Sequence, residues 1–193
     1  VMLTQAVRAG QHATPLDEAC RKVLARLSND SGLTAYLSTL NQRETVVLQR
    51  LNGSQPVQVL APPGSRRAAS GTAMGRALLS RLTQAEFDAL YGTDPSSPLP
   101  VEGKDCPVTV GELAQRVAQV RADHYGVAID QAMPGIGAVA AAVRDPASGE
   151  LRGLCLSFVS FQADAARVAA LRESLTQQVA ALGRELNDPY WLG

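Results

Sequence analysis

Two stretches of this chain leave helical spacing for alternation, and each doubles back through a short turn. In the first, Leu33, Ala35, Leu37 and Thr39 share one face, turn residues Asn41 to Arg43 follow, and the β-branched run ETVVLQR continues. In the second, the apolar stretch from Ile136 to Val143 leads to Asp145-Pro146 and Ser148-Gly149, then to Leu151, Leu154, Leu156, Phe158 and Val159. The alanines of that stretch would also suit a helix, but the turn residues at its end decide for a strand. Strands joined by hairpins are antiparallel. The chain is therefore expected to be α+β, an antiparallel sheet with helices packed on it, in preference to a doubly wound parallel sheet.

Helices fill the remainder. Thr14-Pro15-Leu16-Asp17-Glu18 combines a capping residue, a first-turn proline and two acids, and Leu16, Cys20, Val23, Leu24 and Leu27 recur at helical spacing until about Asn29, before Gly32. Asn52-Gly53-Ser54 is a turn, VQVLA reads as a third short strand, and Pro62-Pro63 stops it. Met74, Leu78, Leu79 and Leu82 predict a helix over 72–82, and Thr83 with Glu86 forms a capping box for a shorter one that Gly92 ends. A second box, Thr109 with Glu112, starts a helix carrying Leu113, Val117 and Val120 inward and stopping near Gly126. From Asp164 to Asn187 the apolar spacing of three and four predicts a long C-terminal helix, on the order of 35 Å.

Composition narrows the function. The 193 residues carry 18 acidic and 18 basic side chains with no run of like charge, whereas a nucleic-acid surface needs a basic excess. At this size a chain buries roughly 70% of its unfolded surface, so one domain with its own core is expected. No apolar run approaches the ~20 residues of a membrane span and no signal peptide opens the chain, which points to the cytoplasm and to no membrane partner. Cys20, Cys106 and Cys155 are widely spaced, with only His12 and His124 beside them, so reduced thiols are expected and no metal site. The first residue is Val1 and not Met, the expected look of a fragment whose N-terminal part is left out.

The stretch PPGSRRAASGTAMGRALLS places a Gly-rich, basic loop before a helix, the setting of many phosphate sites. The spacing excludes a Walker loop, because three residues separate Gly71 from Gly75 and Arg76-Ala77 follows where Lys and Ser or Thr are needed. The glycines instead allow close approach of the backbone to a small ligand. Arg66 and Arg67 read as solvated loop charges, either able to meet an effector carboxylate.

GSRRAASGTAMGRALLS resembles the segment of IclR-type transcription regulators in which a Gly-Ser-Arg loop leads to Ala-x-Gly-Lys-Ala-Leu-Leu. YGVAIDQAMPGIGAVAAAVRDPASGELRGLCLSF is similar to the same family's Gly-Tyr-x-x-Asp segment and the two strands after it. The resemblance covers essentially the whole chain. It implies a C-terminal effector-binding domain with a GAF-like antiparallel sheet over residues 1–193, a winged helix-turn-helix upstream of residue 1 as the only route to DNA, and assembly into dimers or tetramers. It also implies a pocket for a small organic acid or aromatic metabolite, with no catalytic residue, metal or cofactor.

Carried over by position, that pocket takes Val59 on the third strand, Ala73 and Met74 at the helix start, Asp130 after Gly126, Ile136 and Ala138 on one strand, and Cys155 and Ser157 on the next. Residues two apart on a strand face one way, which gives the last pair independent support. Where the family often has Pro, His and Cys this chain has Ala68, Ser70 and Ala138, and an acidic position after Asp130 is missing. A more apolar pocket and a larger or aromatic effector are expected. Against this stand blander readings: Met74 as core packing, Asp130 as a turn cap, Cys155 as a small buried hydrophobe. The alternatives to a sensor are a thiol-dependent enzyme on a GAF-like fold and an oligomerising module whose pocket its own side chains fill.

Overall fold

The computed structural model describes residues 13–101 and 103–193; His12 lies outside them. Helix α1 (Pro15–Ser31) starts with a full capping box, Thr14 bonding the Asp17 backbone and Asp17 returning the bond, and ends where Gly32 takes the left-handed conformation at φ 73°. Strands β1 (Thr34–Asn41) and β2 (Glu44–Leu51) form the first hairpin, with a bulge opposite Leu37 and Ser38. Strands β5 (Ile136–Arg144) and β6 (Leu151–Val159) form the second, in unbroken register from Ile136 opposite Val159 to Arg144 opposite Leu151.

The hairpins join side by side through β1 and β6, and two short strands complete the sheet: β3 (Arg66–Ala68) beside β2 and β4 (Gly126–Ile129) beside β5. All neighbours are antiparallel in the order β3-β2-β1-β6-β5-β4. The α+β arrangement expected from the hairpins, and the GAF-like antiparallel sheet that the family resemblance implies, are what is found.

The third strand lies elsewhere than expected. VQVLA is irregular, with Val57 and Leu60 more than half exposed. The free edge of β2 is taken by the residues after the prolines, where Gly64 donates to the Val47 carbonyl at 2.7 Å and Val47 donates to Ser65 at 3.0 Å. Alternation alone could not separate the two segments; the edge pairing did.

Helices α2 (Ala73–Leu79), α3 (Gln84–Tyr91) and α4 (Val110–Asp123) follow their predicted caps, although α2 stops before Leu82. At α4 only half of the box forms: Thr109 accepts from the Glu112 backbone, while the Glu112 carboxylate accepts from Val108 at 2.9 Å. Helix α5 (Ala165–Glu185) has 21 residues, about 31 Å at ~1.5 Å each. It ends two residues short of Asn187 because the chain turns there into Pro189–Trp191. That turn is fastened by the buried Asp188, which accepts from Arg81 at 2.6 Å and from the Arg144 backbone at 2.9 Å, and by the Trp191 indole on the Ala142 carbonyl.

The sheet has two different faces. Toward α1 and α5 it sends Leu37, Val139, Val143, Leu154, Leu156 and Phe158, which pack with Leu24, Leu27, Leu171, Leu175 and Val179. Toward α2 it sends Tyr36, Ala140, Ala142 and Cys155, packed with Ala73, Met74 and Leu78. A third cluster joins α3 and α4 through Phe87, Tyr91, Leu113 and Val117.

Candidate functional site

The small side chains on the α2 face are what make a site. Along IGAVAAAVR Val139, Ala141 and Val143 point to α1 and α5 and Ala138, Ala140 and Ala142 to α2, and along β6 Leu154, Leu156 and Phe158 alternate with Gly153, Cys155 and Ser157 in the same sense. Helix α2 crosses this thin surface closely at one end, where a Cβ on Gly153 would collide with Met74. Beyond Met74 the surfaces diverge and leave a cavity of about 130 Å3 between β1, β2, β5, β6 and the start of α2.

Seven of the eight positions carried over from the family lie on its wall: Val59, Ala73, Met74, Ile136, Ala138, Cys155 and Ser157. Val59 reaches it from the irregular segment and not from a strand. The Tyr36 hydroxyl holds that segment in place, donating to the Val59 carbonyl and accepting from the Ala61 backbone at 3.2 Å. Asp130 is absent from the wall. It occupies the left-handed region at φ 59° and its carboxylate accepts from Gly135 at 2.7 Å and from the Ser160 hydroxyl at 2.8 Å, the turn-capping role, which closes the β4–β5 loop.

Sequence reasoning missed Tyr36, Thr45 and Val47, which also line the wall. Tyr36 could have been found, since it alternates with Leu37 and must face opposite it. Thr45 and Val47 could not, because the bulge in β2 decides their side. Of the two loop arginines, Arg66 pairs with Glu44 at 2.8 Å on the surface, while Arg67 lines the cavity and is the charged side chain among its lining residues. Neither arginine is in a loop; both belong to β3.

Cys155 is buried, with its thiol pushed up to about 12 by burial and only weakly opposed by Ser157, whose hydroxyl is 3.8 Å away. Such a thiol stays protonated at neutral pH and is a poor nucleophile. Cys20 is buried on the opposite face, in the α1 and α5 core, also pushed up to about 12 by burial. Among the described residues no group of three His, Cys, Asp or Glu side chains is placed to hold a metal ion, and no helix is long and apolar enough to cross a membrane.

The fold thus combines an antiparallel sheet packed on one face with a small cavity under a short helix on the other. Residues 10–184 match the family described as bacterial transcriptional regulator IclR C-terminal, and the chain belongs to it. It is 29% identical over 169 residues to the HTH-type transcriptional regulator XynR of Escherichia coli strain K12, covering 86% of this chain and 65% of that relative's length. The Agrobacterium tumefaciens repressor BlcR superposes with a TM-score of 0.72 at 26% identity, covering 88% of this chain and 66% of that one. An IclR homolog from Microbacterium hydrocarbonoxydans, solved in complex with 4-hydroxybenzoate, has the same fold, with a TM-score of 0.76 at 18% identity over 93% of this chain and 71% of that one.

Proposed function

We propose that this domain senses a small organic acid or aromatic metabolite in the cavity beneath α2, and that occupancy shifts the packing of α2 on the sheet and so the promoter affinity of the whole regulator. One observation carries the reading: seven positions from four separate segments meet around one small cavity. The 4-hydroxybenzoate bound by the Microbacterium homolog supports an aromatic acid as the ligand class. A volume of about 130 Å3 is below the ~300–1,000 Å3 of drug-sized sites, which limits the effector to a single ring or a short chain unless the segment around Val59 moves. Arg67 at the wall supplies the cation for its carboxylate.

A thiol enzyme is disfavoured by the protonated state of Cys155, and the neutral balance of the chain supports a reading in which a winged helix-turn-helix outside it contacts DNA, in a cytoplasmic dimer or tetramer. Coupling of roughly 1–3 kcal/mol between the cavity and the operator would change promoter affinity by about 5- to 150-fold. The test is a titration of 4-hydroxybenzoate, benzoate, pyruvate and glyoxylate, reading both the melting temperature and the operator affinity of the full-length regulator. One of them should raise the melting temperature and move the operator affinity; if none moves either quantity, the sensing function is refuted. Native mass spectrometry separates the ligand-free oligomerising module, which would carry no small molecule under any of these conditions.

A further inference from the structure

A hollow of about 730 Å3, larger than the cavity beneath α2, lies elsewhere on the described residues. It lies outside the last strand of the sheet, β4, between α4 and α5. Its apolar part is formed by Val127, Ile129, Val168 and Ala169, and its charged part by three arginines from three different helices: Arg76 of α2, Arg116 of α4 and Arg172 of α5.

Among the described residues none of the three lies within ion-pair distance of a carboxylate. Arg76 is only 3% exposed, and its guanidinium is held by three neutral acceptors: the Ser70 carbonyl at 3.1 Å, the Val127 carbonyl at 2.9 Å and the Gln131 side chain at 2.8 Å. Burial, and next the positive charge of Arg116, lower its pKa to about 10, the mark of a cation short of negative charge. Arg172 is set in place by Tyr125, donating to its hydroxyl at 3.1 Å and stacking 5.0 Å from its ring centroid. The one carboxylate on the wall, Asp123, is exposed and accepts from the Gln119 amide at 2.8 Å. The hollow thus has three positive charges against one negative, beside an apolar wall, in a volume within the ~300–1,000 Å3 of small-molecule sites.

We infer that this hollow is a second binding site, for a small organic carboxylate whose acid group meets Arg116 and Arg172 and whose apolar body lies on Val127, Ile129 and Val168. The anion relieves the uncompensated charge of Arg76, and Arg76 stands on the same helix as Ala73 and Met74 of the cavity. A ligand here therefore acts on the helix that roofs the other site, as a co-effector would.

Calorimetric titration of the full-length protein with benzoate, and with benzyl alcohol as its uncharged counterpart, tests this. Wild-type protein should show a benzoate event that benzyl alcohol lacks, and Arg116→Gln with Arg172→Gln should weaken that event at least tenfold. Ala138→Leu, which fills only the cavity beneath α2, should leave the event in place, so failure of this site is distinguishable from failure of the sensing cavity. Should Ala138→Leu not fold, the loss of one event between wild type and the arginine variant still decides. An unchanged titration in the arginine variant overturns the inference. So does a variant that changes sedimentation but not benzoate binding, because the hollow would then seat an acidic surface of a second copy.

Discussion

The same two strands build both faces of the sheet, and the faces do opposite things. Toward α1 and α5, β5 and β6 present Val139, Val143, Leu154, Leu156 and Phe158, nearly all without exposure and meshed with leucines of both helices. Toward α2, residues one position away present Ala138, Ala140, Ala142, Cys155 and Ser157, and space is left over. Stability is concentrated where large side chains interlock, and a cavity remains where small ones fail to fill the gap. On the proposed function, separating the duties lets one wall remain fixed while the other responds to a ligand.

The comparison can be broken most severely on the packed face. Leu156→Ala leaves a hole among residues that cannot collapse into it, and should cost about 2–5 kcal/mol in urea unfolding. Less severe is Gly75→Ala on the α2 side, where the new methyl would strike the Ala69 backbone; pushing the helix start outward should cost about 1–3 kcal/mol and weaken ligand binding with it. Ala138→Leu sharpens the contrast further, because it occupies the cavity and should change unfolding free energy by less than about 1 kcal/mol while abolishing effector binding. Arg67→Gln should lower affinity for a carboxylate effector by roughly tenfold, the worth of a charged hydrogen bond, and leave a neutral analogue unaffected.

The thiols give the most direct comparison. Both Cys20 and Cys155 are pushed up from 9.0 to about 12, so above pH 9 the unfolded chain loses these protons while the folded one keeps them. Stability from each is complete below pH 9 and falls as pH rises toward 12, by about 1.4 kcal/mol per unit and per thiol at most. Below pH 9, a small uncharged thiol reagent should label Cys155 through the cavity faster than Cys20, which only unfolding exposes. Effector should protect Cys155 alone. Peptide mass spectrometry reads both rates, and equal labelling would show that the cavity face is as closed as the other.

Much of this was legible in advance, for identifiable reasons. The hairpins, the Thr14 cap, the Thr83 box and the shared side of Cys155 and Ser157 are local patterns, written within a few residues and found as expected. The failures share a cause. VQVLA alternates as well as a strand should, but a strand needs a free edge, and residues 64–68 held the one on β2. Asp130 sits in a family motif, yet its side chain turned to Gly135 and Ser160, partners that only the closing of the β4–β5 loop brings near.

By itself, then, the sequence determined the kinds of element, their order, and which residues along each strand share a face, because these follow from backbone geometry repeated every two or 3.6 residues. Only the tertiary structure decided which segment pairs with the β2 edge, that Tyr36 pins Val59 over the cavity, and that Arg76, Arg116 and Arg172 from three helices share one hollow. Those outcomes depend on competition among distant groups for the same edges, acceptors and space, and no local period encodes the result.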